Sequence, residues 1–319
     1  MTTLPHVAVL MGGWSSEREV SLVSGAGVVK ALQEKGYKVT AVDVQRDIDS
    51  LLRALNPRPD VIFNALHGRG GEDGCMQGML EFLNIPYTHS GVLASAVAMN
   101  KSYAKKIVRE VGVPVAEEVI ATREEVQSRD VLPVPYVVKP VDEGSSVGVR
   151  IIREGSNFRI LAEDSWIYGS TVMVERFIPG RELTVSVMGE DAVGVTEIIA
   201  NTAFYDYTAK YAPGGSTHIV PAKVPDEIAK AVCDYAVRAH KALGAAGVSR
   251  SDFRWDEGKP GTSGLIWLEL NTQPGLTPTS LLPEQAALKG ISYGDLCVWL
   301  IEDAIKRHQT GLLAREVAA

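Results

Sequence analysis

Three short apolar runs punctuate the first 66 residues: HVAVLM at 6–11, TAVDV at 40–44 and DVIFNAL at 60–66. Stretches of helical character separate them. The first opens at Ser16-Glu17-Arg18-Glu19, the S-x-x-E spacing of a capping box, and is expected to run to about Lys35 and stop at Gly36. The second is DIDSLLRAL. Unbroken apolar runs of this length suit strands buried on both faces, as in parallel sheets. The β-α-β-α-β order therefore predicts an α/β fold, with an open, mostly parallel sheet and helices on both sides. Ligands of such sheets bind beyond the carboxyl ends of the strands.

Two loops lie at that edge. GGWSSERE at 12–19 lacks the G-x-G-x-x-G fingerprint, which disfavours a nicotinamide enzyme. HGRGGEDG at 67–74 has four glycines in eight residues, which suits either a flexible turn or close backbone approach to a ligand. Glu17, near a helix N-terminus, favours the macrodipole or holds a ligand ammonium, and spacing does not separate the two. His67 alone is equally open between a structural and a functional role. Residues 91–112 read as helical, and the first domain is expected to span 1–95.

Near the other end of the chain, GVSRSDFRW and GLIWLELNTQPGLTPTS flank the polar turn DEGKPGTSG, which predicts a β-hairpin. Side chains alternate along a strand, so Arg250 and Asp252 share one face, as do Glu269 and Asn271, while Leu268 and Leu270 are expected to enter a core. If the two polar faces meet, two carboxylates, an amide oxygen and a guanidinium converge. Hard cations are held by such oxygens, Mg²⁺ usually by one or two carboxylates plus substrate phosphates. The plainer alternative is a surface hairpin with solvated charges. The apolar neighbours of both carboxylates weigh against it.

The rest of the chain bounds the class. A net charge of −7 over 319 residues gives no basic footprint for nucleic acid, though lysines focused in a cleft would still attract phosphates. No apolar run approaches the roughly 20 residues of a membrane span, and the N-terminus lacks the pattern of a secretory signal. Cys75, Cys233 and Cys297 are far apart without a CxxC, which argues against a disulfide framework or zinc site and fits a reducing, cytoplasmic compartment.

A strand-rich unit occupies the middle. PYVVKP and VRII flank the Gly/Ser loop DEGSSVGV, whose backbone N–H groups could close over phosphates as a nest, with Lys139 adding a point charge just before it. No Walker A motif occurs. TVMVERFIPG reads as a strand ending in backbone that could pair with the edge of a planar base; Glu175 on it is otherwise a solvent-facing strand residue. RELTVSVMG and AVGVTEII are further strands. Residues 201–221, rich in aromatics, are read as a lid loop. PDEIAKAVCDYAVRAHKALG is an amphipathic helix, and two helices close the chain.

Seven motifs in one order carry a resemblance over nearly the whole length: GGWSSEREVSLVSG, HGRGGEDGCMQG, VVKPVDEGSSVGV, ERFIPGRELTV, YDYTAKY, RSDFRW and LELNTQPGLTPTSL. The chain resembles the D-alanine–D-alanine ligases of the ATP-grasp superfamily. The resemblance implies three domains, 1–95, 96–180 and 181–319, α+β in the later two, with ATP clamped between the central and C-terminal ones. It implies ADP-forming synthesis of D-alanyl-D-alanine for peptidoglycan precursors. Lys101, Lys139 and Lys210 are then expected at the ATP phosphates, with Ser145, Ser146 and Val147 on the loop covering them. Glu175 and Ile178 are expected at the adenine edge and Glu182 at the ribose. Asp252, Glu269 and Asn271 are expected to ligate two Mg²⁺ or Mn²⁺ ions. Glu17 is expected to hold the first D-alanine ammonium, with Ser145 and Tyr211 completing a hydrogen-bonded group and His67 beside it. Arg250 and the backbone at Gly275 are expected at the anionic intermediate, and Ser280 and Leu281 at the second carboxylate. A homodimer is implied, and a monovalent cation is a further candidate.

Gln273 occupies a position where the family has Ser or Gln, and Trp14 one where a small residue is more usual. The Lys210-Tyr211 pair favours dipeptide formation over D-lactate incorporation. The alternatives are another carboxylate–amine, D-lactate or D-serine ligase on the same fold, or a nucleotide-binding module without catalysis.

Overall fold

The computed structural model describes residues 4–142, 148–155, 169–200, 215–277 and 279–318, without the side chains of 312–318. The chain opens with β1 (His6–Gly12), α1 (Arg18–Glu34), β2 (Lys38–Val44), α2 (Ile48–Ala54), β3 (Val61–Asn64) and α3 (Cys75–Phe82). The three strands form a parallel sheet in the order β2-β1-β3. This is the sheet the apolar runs predict.

The start of α1 differs from expectation. Its N-cap is Glu17 and carries no side-chain cap bond, so the capping box is not formed. Ser15 fixes the turn instead. Its Oγ accepts from Glu17 N at 3.1 Å and donates to the His67 carbonyl at 2.7 Å, which ties the first loop to the second. The helical stretch at 91–112 is two helices, α4 (Val92–Met99) and α5 (Lys101–Glu110). Asn100 breaks it: its backbone is extended, and its Oδ1 accepts from Tyr103 N at 3.2 Å as a new N-cap.

Next come β4 (Glu118–Thr122), α6 (Arg123–Ser128), β5 (Tyr136–Pro140), β6 (Arg150–Ile152) and β7 (Thr171–Arg176), whose strands form an antiparallel sheet ordered β4-β7-β5-β6. The third sheet comprises β8 (Arg181–Met188), β9 (Asp191–Ala200), β10 (Ser216–Ile219), β11 (Val248–Trp255) and β12 (Leu265–Asn271), ordered β10-β9-β8-β11-β12. Part of the stretch read as a loop at 201–221 is thus a strand, because Ser216–Ile219 pairs with the edge of β9.

Helix α7 (Asp226–Ala242) buries Ile228, Val232, Ala236 and Ala239, four residues or fewer apart, against Val185, Phe253, Leu265 and Trp267 of the third sheet. After α8 (Leu281–Leu288), the last helix, α9 (Tyr293–Ala318), returns to the first sheet. Leu296, Leu300 and Ile301 pack there with Val7, Val9 and Phe63. Burying each such side chain contributes about 1.5–3 kcal/mol. Among the described residues no helix is long and apolar enough to cross a membrane.

Candidate active site

The hairpin register decides whether the polar faces meet. Across β11 and β12, Arg250 stands opposite Asn271 and Asp252 opposite Glu269. Immediately beyond, the register slips: Phe253 pairs with Trp267, and Leu268 is the extra residue of a bulge. The slip reverses the phase of β12. Leu265, Trp267 and Leu270 enter the core, whereas Leu268, expected there, lines a cavity.

That cavity holds about 470 Å³ and lies between the second and third sheets. Lys101, Lys139, Glu175, Phe177, Ile178, Glu182 and Leu268 line it. A second cavity, of about 480 Å³, is lined by Glu17, His67, Arg250, Asn271, Gly275, Ser280 and Leu281. Lys101, Asp252 and Glu269 face both. The two carboxylates of the hairpin therefore stand in the wall between the chambers.

The first chamber has a buried ionic floor. Glu175 is 3% exposed, so the solvent-facing reading fails. Its carboxylate accepts from Lys139 at 2.6 Å and from Lys105, which also lies 3.4 Å from Glu118. Lys101 reaches Glu269 at 3.1 Å. Burial, then the charges of Lys105 and Lys101, push Lys139 well below the ordinary lysine range. An anion entering the chamber would relieve that repulsion, which suits a polyphosphate. Arg254 braces the opposite wall: it donates to the carbonyls of Ile178 at 3.2 Å and Gly180 at 2.7 Å and lies 3.4 Å from Glu182.

In the second chamber, Arg250 grips Asp252 with two bonds of 2.8 Å, and Thr184 donates to Asp252 at 2.6 Å. Glu17 is 6% exposed. Burial, with Arg250 nearby, holds His67 below the usual histidine range against the pull of Glu17. Ser280 is the N-cap of α8 without a side-chain cap bond; its Oγ serves Thr277 instead, at 3.0 Å from the backbone N. Ser280 and Leu281, at the N-terminus of α8, line this chamber, and a helix N-terminus suits a carboxylate. Asn271 Oδ1 accepts from Gln273 N at 2.7 Å.

Family models agree with this layout over most of the chain. One described as "D-ala D-ala ligase N-terminus" matches residues 6–54 and 49–90, and "D-ala D-ala ligase C-terminus" matches 107–302. The D-alanine–D-alanine ligase of Parvibaculum lavamentivorans is 58% identical over 95% of this chain and 99% of its own length. The chain belongs to the D-alanine–D-alanine ligase family.

Further members of the family extend the likeness. D-alanine–D-alanine ligase B of Mesorhizobium japonicum is 57% identical over 94% of this chain and 97% of its own. The crystal structure of the Bacillus anthracis ligase complexed with ATP superposes with a TM-score of 0.81 at 30% identity, covering 97% of this chain and all of that one. The Coxiella burnetii ligase gives 0.82 at 27% identity, covering 99% and 98%. The ATP-grasp architecture expected from the motifs is thereby shown.

Of the family positions singled out in the sequence, Ser145, Ser146, Val147, Lys210 and Tyr211 lie outside the described residues. The other residues expected at the ATP, metal and D-alanine sites all line one chamber or both. Trp14 and Gln273 acquire structural roles. The Trp14 indole covers Gly70, where a Cβ would stand 2.3 Å from Cζ2, so the ring clasps the two loops carrying Glu17 and His67. Gln273 joins the first sheet to the hairpin exit, accepting from Asn64 at 3.0 Å and donating to the Leu66 carbonyl. Sequence reasoning missed Lys105, Arg254 and Glu72. Lys105 carries a local signal, four residues after Lys101 and so on the same face of α5.

Proposed function

We propose that this chain joins two D-alanines into D-alanyl-D-alanine, cleaving ATP to ADP and phosphate, by way of D-alanyl phosphate. The observation that carries this reading is the shared wall: Lys101, Asp252 and Glu269 face both the lysine-lined chamber and the chamber of Glu17 and His67. A phosphoryl group can pass only where donor and acceptor meet, and this wall is where they do.

ATP occupies the first chamber, its adenine against Glu175 and Ile178, its ribose at Glu182 and its phosphates at Lys101 and Lys139. The first D-alanine lies beside Glu17 and His67. Asp252, Glu269 and Asn271 form a donor set that fits two Mg²⁺ or Mn²⁺ ions. Among the described residues no group of three or more His, Cys, Asp or Glu side chains could hold a metal; Mg²⁺ is usually held by one or two carboxylates together with substrate phosphates. Bound there, the ions would neutralise charge on the transferring phosphoryl group.

The carboxylate of the first D-alanine attacks the γ-phosphorus, and the bond to ADP breaks. A carboxylate is a poor electrophile; the acyl phosphate has a good leaving group. The amine of the second D-alanine, its carboxylate at Ser280 and Leu281 on the N-terminus of α8, attacks the carbonyl carbon. Arg250 and the Gly275 N–H stabilise the tetrahedral oxyanion. Phosphate departs, and the nitrogen loses its proton.

We further read the chain as the domains 1–95, 96–180 and 181–319, supported by three sheets each drawn from one of these segments. We also read the protein as a cytoplasmic homodimer, a reading the family resemblance supports; the free cysteines suit a reducing compartment. Product analysis with D-alanine, D-serine and D-lactate as second substrates tests the reading. D-alanyl-D-alanine is expected as the main product; efficient D-lactate incorporation with little dipeptide would replace it with the ester-forming alternative.

A further inference from the structure

Glu72 sits in the second loop, is 7% exposed and lines the amino-acid chamber with Glu17, His67 and Arg250. Its Oε1 accepts from the Gly68 N–H at 3.0 Å. Its Oε2 is buried and has no hydrogen-bond partner among the described residues. Glu17 approaches the same glycine: a Cβ at Gly68 would stand 2.9 Å from Glu17 Oε2. Two buried carboxylates thus converge on one loop residue. Bracing Gly68 explains one oxygen of Glu72 and leaves the other without a role.

Leaving a buried carboxyl oxygen unpaired costs free energy, and an incoming donor recovers it. A primary ammonium carries three N–H groups, more than one carboxylate usually satisfies. We propose that Glu72 is a second carboxylate for the ammonium of the first amino-acid substrate, accepting one of its N–H groups through Oε2 while Glu17 accepts another. The proposal rests on the ligase reading given above.

The electrostatics agree. The charged groups facing Glu72 are Glu17 at the start of α1, Glu269 on β12 and Arg250 on β11. Burial, then Glu17, push the Glu72 carboxyl up to about 8, with Arg250 pulling the other way. At neutral pH the Glu72 carboxyl keeps its proton while no ammonium faces it. An arriving ammonium favours the ionised form, so Glu72–COOH becomes carboxylate and its proton passes to the solvent.

Steady-state kinetics of Glu72→Gln provide the test. The amide keeps an acceptor for Gly68 but loses the charge and places a donor toward the ammonium. The KM for the first D-alanine is expected to rise about 10- to 100-fold, the worth of a charge-assisted hydrogen bond, while the KM for ATP moves less than about 3-fold. A D-alanine KM within 2-fold of wild type would overturn the proposal and leave the ligase reading intact. Should Glu72→Gln fail to fold, calorimetry on the wild-type protein decides. With a non-hydrolysable ATP analogue present, D-alanine binding at pH 7 is titrated in two buffers of different ionisation enthalpy. Release of roughly one proton per D-alanine is expected; no release would overturn the proposal. Wild-type protein without D-alanine-dependent ADP formation would overturn both this proposal and the ligase reading.

Discussion

Asp252 and Glu269 face each other across the β11–β12 ladder, one step before the bulge at Leu268. The position of the bulge matters. Paired residues on neighbouring strands share a face, so both carboxylates reach the wall between the chambers while Trp267 keeps the hairpin anchored in the core.

Asp252→Asn and Glu269→Gln should each lower ADP release by about 100-fold or more, because each removes a carboxylate proposed to hold the ions that neutralise charge on the transferring phosphoryl group. The thermal midpoint should stay within a few degrees of wild type. Stopped turnover with a preserved unfolding transition is the expected pattern. Wild-type turnover in both variants would remove the hairpin from the chemistry.

Lys105 is fully buried between Glu175 and Glu118, and burial lowers it to about 8. Lys105→Met leaves those carboxylates with less compensation and should cost about 3 kcal/mol, read by urea unfolding. The KM for ATP should rise as well, since Glu175 loses one of the two lysines that hold it. A stability change below about 0.5 kcal/mol would mean that Lys139 suffices alone.

Trp14 is 40% exposed, yet it clasps the loops that hold Glu17 and His67. Trp14→Ser should cost about 1 kcal/mol or less in stability, as for most exposed positions, and raise the KM for the first D-alanine several-fold. Gly70→Ala should be worse on both measures, because φ there is +84° and the new methyl meets the indole. An unchanged KM in Trp14→Ser would reduce the clasp to surface packing.

His89 gives a pH dependence. Buried beside Phe63, it is lowered to about 3, burial being the main cause. The unfolded chain binds a proton at about 6.5, the folded chain does not, so stability should fall as pH drops from 6.5 toward 3, by at most about 1.4 kcal/mol per unit from this residue. His89→Asn, which tolerates the φ of +70° at this position, should flatten that slope in thermal unfolding scans. An unchanged slope would assign the acid sensitivity to other groups.

Much of this arrangement can be read from the chain. Unbroken apolar runs mark β1 and β3 because parallel strands are covered on both faces, and the polar residues of the hairpin announce their shared face. The phase of β12 cannot be read: LIWLEL is apolar at nearly every position, so nothing local tells whether Leu268 or Trp267 enters the core. Lys105 and Glu72 stayed hidden for a related reason. Their roles depend on burial among partners as far away as Glu175 and Glu17, which spacing along the chain does not encode. The return of α9 to the first sheet is likewise a tertiary choice, since its apolar stripe would fit many surfaces.

The coupling of the two chambers is tested most directly by measuring ADP release from ATP on addition of D-alanine, with L-alanine as control. ADP should appear only with D-alanine, in step with D-alanyl-D-alanine, and should be negligible with L-alanine. ADP release that ignores D-alanine, or that L-alanine supports equally, would contradict a shared wall across which a phosphoryl group passes to a D-amino acid.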